Sequence, residues 1–308
     1  MKAMCLAGVT ATSLLVETEI PQPKPQPGEV LVRVHAAGVT PTELQWYPTS
    51  QTAAGGERKG AVPSHEFSGD IAEVGEGVDR FTIGQQIYGM NDWFADGALA
   101  EYCVTRADSI APKPQRLSHA EAASVPIGAL TAWQGLFDRA KLQRGERVLV
   151  QGGAGAVGVF AIQLAHSRGA DVTATASAHN VEFVKGLGAA RVLDYKAVKF
   201  EDEVRDIDVV FDTVGGETLQ RSWNVLRPNG RMVTIAAGGE ATRDERTKAA
   251  FFIVEASQPQ LVEIARLIDA DELRPFVDAV VPFRDAEKAF AGTVERKGRG
   301  KLVVSVWN

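Results

Sequence analysis

A buried-strand pattern, Arg147-Val148-Leu149-Val150-Gln151, runs straight into Gly153-Ala154-Gly155-Ala156-Val157-Gly158, and an apolar-faced helix pattern begins directly behind it. Strand, G-x-G-x-x-G and helix in this order leave few folds open, because each glycine answers a separate steric demand. The first permits a tight turn, the second lets backbone amides approach a pyrophosphate, and the third lets helix and strand pack closely. The helix start then offers unpaired amides and a positive dipole end to an anion. The turn from Gly152 to Gly158 therefore predicts a dinucleotide site, with Gly153, Ala154, Gly155, Ala156, Val157 and Gly158 as its candidate cofactor-binding residues.

The chain beyond this turn agrees with a βαβ unit. Strand patterns at 148–151, 171–176, 191–194, 209–212 and 231–236 alternate with helical ones such as 157–168 and 181–187, which implies a parallel sheet covered on both faces. The first third reads instead as β-rich, with strands expected over 29–35, 69–74, 84–89 and 98–104. Prolines 21, 23, 25 and 27 recur at every second position; a polyproline ligand is one reading, a stiff connector ending in a Pro27-Gly28 turn the other. Residues 46–62 are polar and glycine-rich, as in a surface loop bordering a ligand site. Ser118 and Glu121 form a capping box for a helix over 120–124, which Pro126 and Gly128 interrupt before a second helical stretch over 129–139. After Phe276 short strands return, ending in 301–306.

Length and charge exclude several functions. A chain of 308 residues with 45% hydrophobic and 23% charged content is long enough for two cores. A net charge of −6 argues against nucleic acid or an anionic membrane as partner. The only cysteines, Cys5 and Cys103, form neither a disulfide framework nor a Cys-x-x-Cys pair, so a reducing, cytoplasmic compartment is expected. Lys2 precedes a short apolar run, but Thr10, Thr12 and Ser13 break it far below membrane-spanning length.

The residues about 20 positions beyond the turn discriminate between cofactors. The second strand of the unit ends Ala174-Thr175-Ala176-Ser177-Ala178-His179 with no carboxylate. An acidic residue would hold the ribose hydroxyls of NAD and repel a 2′-phosphate. Its absence, with Ser177 and His179 able to donate, favours NADP(H). Ser177 is equally suited to cap the next helix.

These motifs together resemble the medium-chain dehydrogenase/reductase superfamily, and within it the zinc-free quinone oxidoreductases related to zeta-crystallin. The resemblance is carried by Gly38-Val39-Thr40-Pro41, Pro63-Ser64-His65-Glu66-Phe67-Ser68-Gly69, Gly97-Ala98-Leu99-Ala100-Glu101-Tyr102 and Gly128-Ala129-Leu130-Thr131-Ala132, by the glycine turn, and by Phe211-Asp212-Thr213-Val214-Gly215-Gly216 and Gly300-Lys301. It implies an α/β chain in which a doubly wound Rossmann domain (123–273) is inserted in a β-rich, GroES-like catalytic domain (1–122 plus 274–308), with a homodimer formed through the Rossmann sheet. It also implies Tyr195 near the 2′-phosphate, Val214 and Gly215 along the nucleotide, and Ile235, Ala236, Phe252, Ile253, Val254 and Thr131 around the nicotinamide.

Zinc alcohol dehydrogenases of the same superfamily carry a cysteine where this chain has Thr40. His65-Glu66 remains, but catalytic zinc needs three protein ligands and an open position, so no metal is expected and His65 is read as structural. Without a Lewis acid, substrates that delocalise incoming charge are favoured. The expectation is an NADPH-dependent reductase of quinones or α,β-unsaturated carbonyls, with Thr40 or Tyr47 as candidate proton donors. Trp93 is weaker in that role; for Trp46 and Trp93 individually, surface or core positions are expected. Alternatives are an enoyl-thioester reductase, for which no basic channel is visible, and an NADPH-binding sensor or structural protein without turnover.

Overall fold

A computed structural model describes residues 1–8, 14–236, 238 and 242–307 of the 308-residue chain. Thr10, Thr12 and Ser13, which end the first apolar run, lie outside the described residues. Two larger sheets dominate. One contains β3 (Glu29–Val39), β4 (Glu66–Val74), β5 (Gln86–Met90), β6 (Tyr102–Arg106) and β7 (Ile110–Pro112), joined by β13 (Val277–Pro282) and β14 (Lys301–Ser305) from the end of the chain. The re-entry is direct, because β14 runs antiparallel to β3 with Leu302 opposite Val39. A hairpin of β1 (Lys2–Ala7) and β2 (Leu14–Glu19) lies beside this sheet. The other sheet holds β8 (Arg147–Gln151), β9 (Asp171–Ala176), β10 (Arg191–Asp194), β11 (Ile207–Asp212) and β12 (Leu226–Thr234), all parallel, in the order β10-β9-β8-β11-β12. This is a Rossmann-type doubly wound sheet joined to a GroES-like one. Strand order reverses between β8 and β11, so the loops leaving their carboxyl ends flank the crevice where such sheets bind ligands.

The helices are α1 (Tyr47–Ser50), α2 (His119–Ala123), α3 (Pro126–Trp133), α4 (Gly158–Ser167), α5 (Val181–Lys185), α6 (Phe200–Glu203), α7 (Gly216–Ser222), α8 (Glu245–Ala250), α9 (Gln258–Asp269) and α10 (Ala286–Phe290). The capping box forms as expected: the Ser118 hydroxyl accepts from the Glu121 amide, and the Glu121 carboxylate accepts from the Ser118 amide. Pro126 does not interrupt a helix. It starts α3, in the first turn where its missing N–H costs nothing, and the helix continues as a π-turn over Gln134–Arg139. Gly128 lies inside α3 because a Cβ there would sit 2.5 Å from the Ala156 carbonyl oxygen and 3.1 Å from the Phe160 ring. Its hydrogen lets α3 lie directly on the glycine turn.

Other boundaries shift for local reasons. The strand expected over 84–89 begins only at Gln86, since Gly84 adopts φ +84° in the turn before it. Ala100 makes an isolated bridge to Ala3, and the strand proper starts at Tyr102. The region 46–62 is not all surface loop: it contains α1, and Thr49, Ala61 and Val62 are buried. α9 is not among the helices expected from the sequence, although Leu261, Ile264 and Ile268 form its buried stripe. The prolines 21–27 form the connector between β2 and β3. No helix of the described residues is long and apolar enough to cross a membrane.

Two main cores form, one around the Rossmann sheet and one inside the first sheet. Tyr88 of β5 crosses between the bodies, donating to the Leu261 carbonyl of α9 at 2.6 Å. Gly128→Ala is expected to cost about 1–3 kcal/mol through overpacking against the turn. Urea unfolding checks this, and an unchanged midpoint would show that α3 has room to move.

Candidate active site

The carboxyl ends of β8 and β12 face the end of β3 across a cavity of about 500 Å³. Thr40, Trp46, Trp93 and Lys301 line it from one body, and Gly155, Ala156, Val157, Ile235 and Phe251 to Val254 from the other, together with Ile127 and Thr131 of α3. The wall is mostly apolar, so the few polar groups in it set what the cavity can do.

The nucleotide side is built by backbone. Gly152 adopts φ +79°, and Gly158 packs so tightly under it that a Cβ would lie 2.2 Å from the Gly152 oxygen. Gly153 donates to the Thr175 carbonyl, which buries the turn's root against β9. The amides of Ala156 and Val157, by contrast, have no backbone partner among the described residues and line the cavity at the head of α4. This is the donor pattern a pyrophosphate requires. Across the switch point Asp212, fully buried, accepts from the amides of Val214 and Gly215 and from the Thr234 hydroxyl. It thereby sets the loop that precedes α7 and the exit from β12 towards Ile235. Gly215 is required there: φ is +78°, and a Cβ would meet that of Ala236 at 2.4 Å. Val214, Gly215 and Ala236 border the switch point without lining the cavity, whereas Ile235 and Phe252, Ile253 and Val254 line it. Thr131 lines it too, with its hydroxyl donating to the Ile127 carbonyl at 2.6 Å.

Ser177 does not cap a helix. Its hydroxyl lies 3.1 Å from His179 Nδ1, and His179 Nε2 donates to the Lys297 carbonyl at 3.1 Å. That carbonyl can only accept, so Nε2 carries the proton and Nδ1 accepts from Ser177. Arg299 completes this corner by donating to the Asn180 side chain at 2.7 Å and to the His179 carbonyl at 3.1 Å. Tyr195, 58% exposed, stands at the end of β10, where its amide donates to the Ala176 carbonyl. The contacts of Lys297 and Arg299 with this corner are not legible from the sequence, since they span 118 and 120 positions.

On the opposite side Thr40 directly follows β3. Lys301, the first residue of β14 and only 6% exposed, donates from Nζ to Thr40 Oγ1 at 2.8 Å and pairs with Glu66. Glu66 is fully buried and also accepts from the Ile127 amide at 2.9 Å. Burial raises its carboxyl above the ordinary range, while Lys301 pulls it back. Because Lys301 satisfies an acceptor site on Thr40, the Thr40 O–H is left to donate elsewhere. Tyr47, the other candidate proton donor, is 40% exposed, packs on Trp46 and Phe94, and is not among the residues lining the cavity. Trp46 and Trp93 do line it, as an edge-to-face pair 4.9 Å apart. Trp93 also donates to the Val254 carbonyl at 3.1 Å, tying the two walls together.

His65 is not alone. Its Nδ1 lies 3.3 Å from Glu43 Oε2, the Glu43 carboxylate also accepts from the Ser64 amide, and His65 Nε2 donates to the Ala95 carbonyl. Glu43, His65 and Glu66 thus have protein partners, with Thr40 where a thiolate would be needed.

Residues 26–115 match the alcohol dehydrogenase GroES-like domain family, and residues 187–304 the zinc-binding dehydrogenase family. The mitochondrial NAD(P)H oxidoreductase RTN4IP1 of Danio rerio is 31% identical over 91% of this chain and 84% of its own. The 2-methylene-furan-3-one reductase of Solanum lycopersicum is 31% identical over 94% of this chain and 75% of its own. Among solved structures, a quinone oxidoreductase from Coxiella burnetii superposes with a TM-score of 0.88 at 28% identity, covering 100% of this chain and 99% of that one.

Lys301→Met strips the buried Glu66 carboxylate of its counter-charge and is expected to cost about 3–5 kcal/mol. Adding Glu66→Gln should recover part of that loss. In the single variant the folded carboxyl, raised above its unfolded value, takes up a proton as pH falls, so the deficit shrinks on acidification. Denaturant midpoints of both variants across pH check this; equal losses in the single and double variants would mean the pair is not coupled.

Proposed function

Because the chain belongs to the medium-chain dehydrogenase/reductase superfamily, in its quinone oxidoreductase-like branch, we propose that it reduces quinones or α,β-unsaturated carbonyls with NADPH and without a catalytic metal. The observation that carries this reading is the Thr40 hydroxyl, held by buried Lys301 in the wall of an apolar cavity that opens on the unpaired amides of Ala156 and Val157.

The backbone cradle fits a dinucleotide. Ala156 and Val157 would hold the pyrophosphate on the turn formed by Gly153, Ala154, Gly155 and Gly158, with Val214 and Gly215 beside it. Ile235, Ala236, Phe252, Ile253, Val254 and Thr131 would border the nicotinamide. Ser177, His179 and Tyr195 would meet the adenosine 2′-phosphate, with the positive charge of Arg299 and Lys297 favouring NADPH over NADH. When bound, the cofactor supplies a hydride. The protein then supplies a proton and an environment. Thr40 Oγ gives its proton to the substrate oxygen, on which charge accumulates, and recovers one from Lys301 Nζ, which water reprotonates. Trp46, Trp93, Phe252 and Val254 exclude bulk water and accept a flat conjugated substrate. Such a substrate spreads the incoming charge over its own π-system, so a hydroxyl donor is enough where a simple ketone would need a Lewis acid. In this reading residues 1–122 and 274–308 form the catalytic domain and 123–273 the cofactor domain, and copies pair through the open β12 edge of the Rossmann sheet.

NADPH oxidation over a panel of quinones, enals and enoyl thioesters tests the proposal. Turnover is expected with quinones or enals; preference for thioesters would make it an enoyl-thioester reductase, and flat traces with NADPH binding retained would make it a sensor. Thr40→Val should lower kcat about 100-fold or more with little change in KM, and Thr40→Ser should restore it. A kcat within about twofold of the parent would remove Thr40 from the chemistry. Ser177→Asp puts a carboxylate against the 2′-phosphate, so the NADPH/NADH ratio of kcat/KM should fall at least about tenfold, by about 1.4 kcal/mol. An unchanged ratio would show that this corner does not select the cofactor.

A further inference from the structure

Outside the cavity, His35, Asp70 and His119 bring two imidazoles and a carboxylate together, with their ligating atoms all within 4.8 Å of one another. None of the three lines the cavity. His35 is the residue that the β3–β4 ladder skips, since Val34 pairs with Gly69 and Ala36 with Ser68. A bulge of this kind re-aims one side chain, here onto Asp70, whose Oδ2 accepts from His35 Nε2 at 2.7 Å. His119 comes to the same carboxylate from the start of α2, its ring stacked on that of His35 with centroids 4.2 Å apart.

A second layer orients His119. Ser68 Oγ donates its one proton to the Ile87 carbonyl at 2.8 Å, so at 2.9 Å it accepts from His119 Nδ1–H. The lone pair of His119 is therefore on Nε2, which accepts from the Gln86 side-chain amide at 3.3 Å and lies 3.8 Å from Asp70 Oδ1. Asp70 Oδ1 is shielded from solvent and has no hydrogen-bond donor. The His119 lone pair, held only by the exposed Gln86 amide, thus lies beside an unsatisfied carboxylate oxygen. A cation that displaces the Gln86 amide satisfies both.

We propose that His35, Asp70 and His119 bind a divalent transition metal of the zinc class at a site separate from the reaction cavity. Two imidazoles and a carboxylate form a borderline donor set that suits zinc, cobalt(II) or nickel better than magnesium or calcium. Tetrahedral bonds of about 2.1 Å put ligands roughly 3.4 Å apart, so the widest pair closes by no more than roughly 1.4 Å. Side-chain exposures of 28%, 28% and 20% leave the three groups room to do so and keep one face for water. On binding, the proton of His35 Nε2 passes to Nδ1 as that ring changes tautomer. The bound ion clips α2, and with it the approach to α3, onto β3 and β4. Two histidines and an aspartate at positions 35, 70 and 119 share no spacing that marks a metal site, which is why none is expected there from the sequence.

The full-length protein, stripped with chelator and dialysed, is titrated with ZnCl2 by calorimetry and with CoCl2 by visible absorbance. One zinc per chain is expected, with a cobalt d–d band and a thermal midpoint raised by zinc. His119→Gln and Asp70→Asn should each weaken zinc binding at least about tenfold while NADPH turnover of the parent's best substrate stays unchanged. His35→Gln serves in place of either variant that fails to fold. Absence of saturable zinc binding would overturn the proposal. So would zinc bound by both variants as tightly as by the parent, or zinc lost only in His65→Gln.

Discussion

Gly300 donates its amide to the Ala154 carbonyl at 2.8 Å and bridges to Gly155, so the last strand of the first sheet begins on the glycine turn of the second. Most of the site depends on this backbone contact. Gly300 sits at φ +76°, where a Cβ would lie 2.0 Å from the Phe276 carbonyl oxygen, so the crossing has no room for a side chain. From it the chain runs one way to Lys301, which reaches Thr40 and Glu66, and the other way to Arg299, which reaches Asn180 and His179. Arg299, Gly300 and Lys301, consecutive in the chain, therefore connect the corner beyond β9, the glycine turn and the Thr40–Glu66 wall.

The two halves of the cavity differ in how they are held. The half formed by the glycine turn is backbone geometry, positioned by steric demands at Gly128, Gly152, Gly158 and Gly215 and by the buried Asp212 carboxylate. The substrate half is side-chain chemistry, and its charges are costly. A buried lysine and a fully buried glutamate survive desolvation only because each supplies the other's counter-charge and because the Ile127 amide and the Thr40 hydroxyl satisfy further valences. That arrangement also orients Thr40, so the groups that hold β14 in its sheet also fix the Thr40 hydroxyl in the cavity wall. The apolar rings of Trp46 and Trp93 close the wall around it and keep the local dielectric low.

The glycine turn, the five parallel strands after Arg147 and the capping box at Ser118 are all legible in the sequence, because each rests on short-range sterics and periodicity expressed within a few residues. Pro126 looks locally like a breaker, since its place in the first turn of α3 depends on where the helix starts. The loop after Gln45 looks like surface because its polar composition hides the burial of Thr49, Ala61 and Val62 against other elements. Among candidate proton donors, Thr40 meets the cavity and Tyr47 does not. Which way a side chain points after a chain reversal is set by packing on Trp46 and Phe94, and no local pattern encodes that.

Sequence alone thus determined the glycine turn between strand and helix and the missing carboxylate beyond β9, because both are properties of residue type at a fixed local spacing, while only the family resemblance gave Thr40 its meaning. Tertiary structure decided the partners: Lys301 for Thr40 and Glu66, Arg299 for the Ser177 corner, Glu43 for His65, and Asp70 between His35 and His119. These contacts join residues from 22 to 261 positions apart. Their meeting depends on a strand returning from the chain terminus and on a bulge in β3, and only the packed sheets specify either.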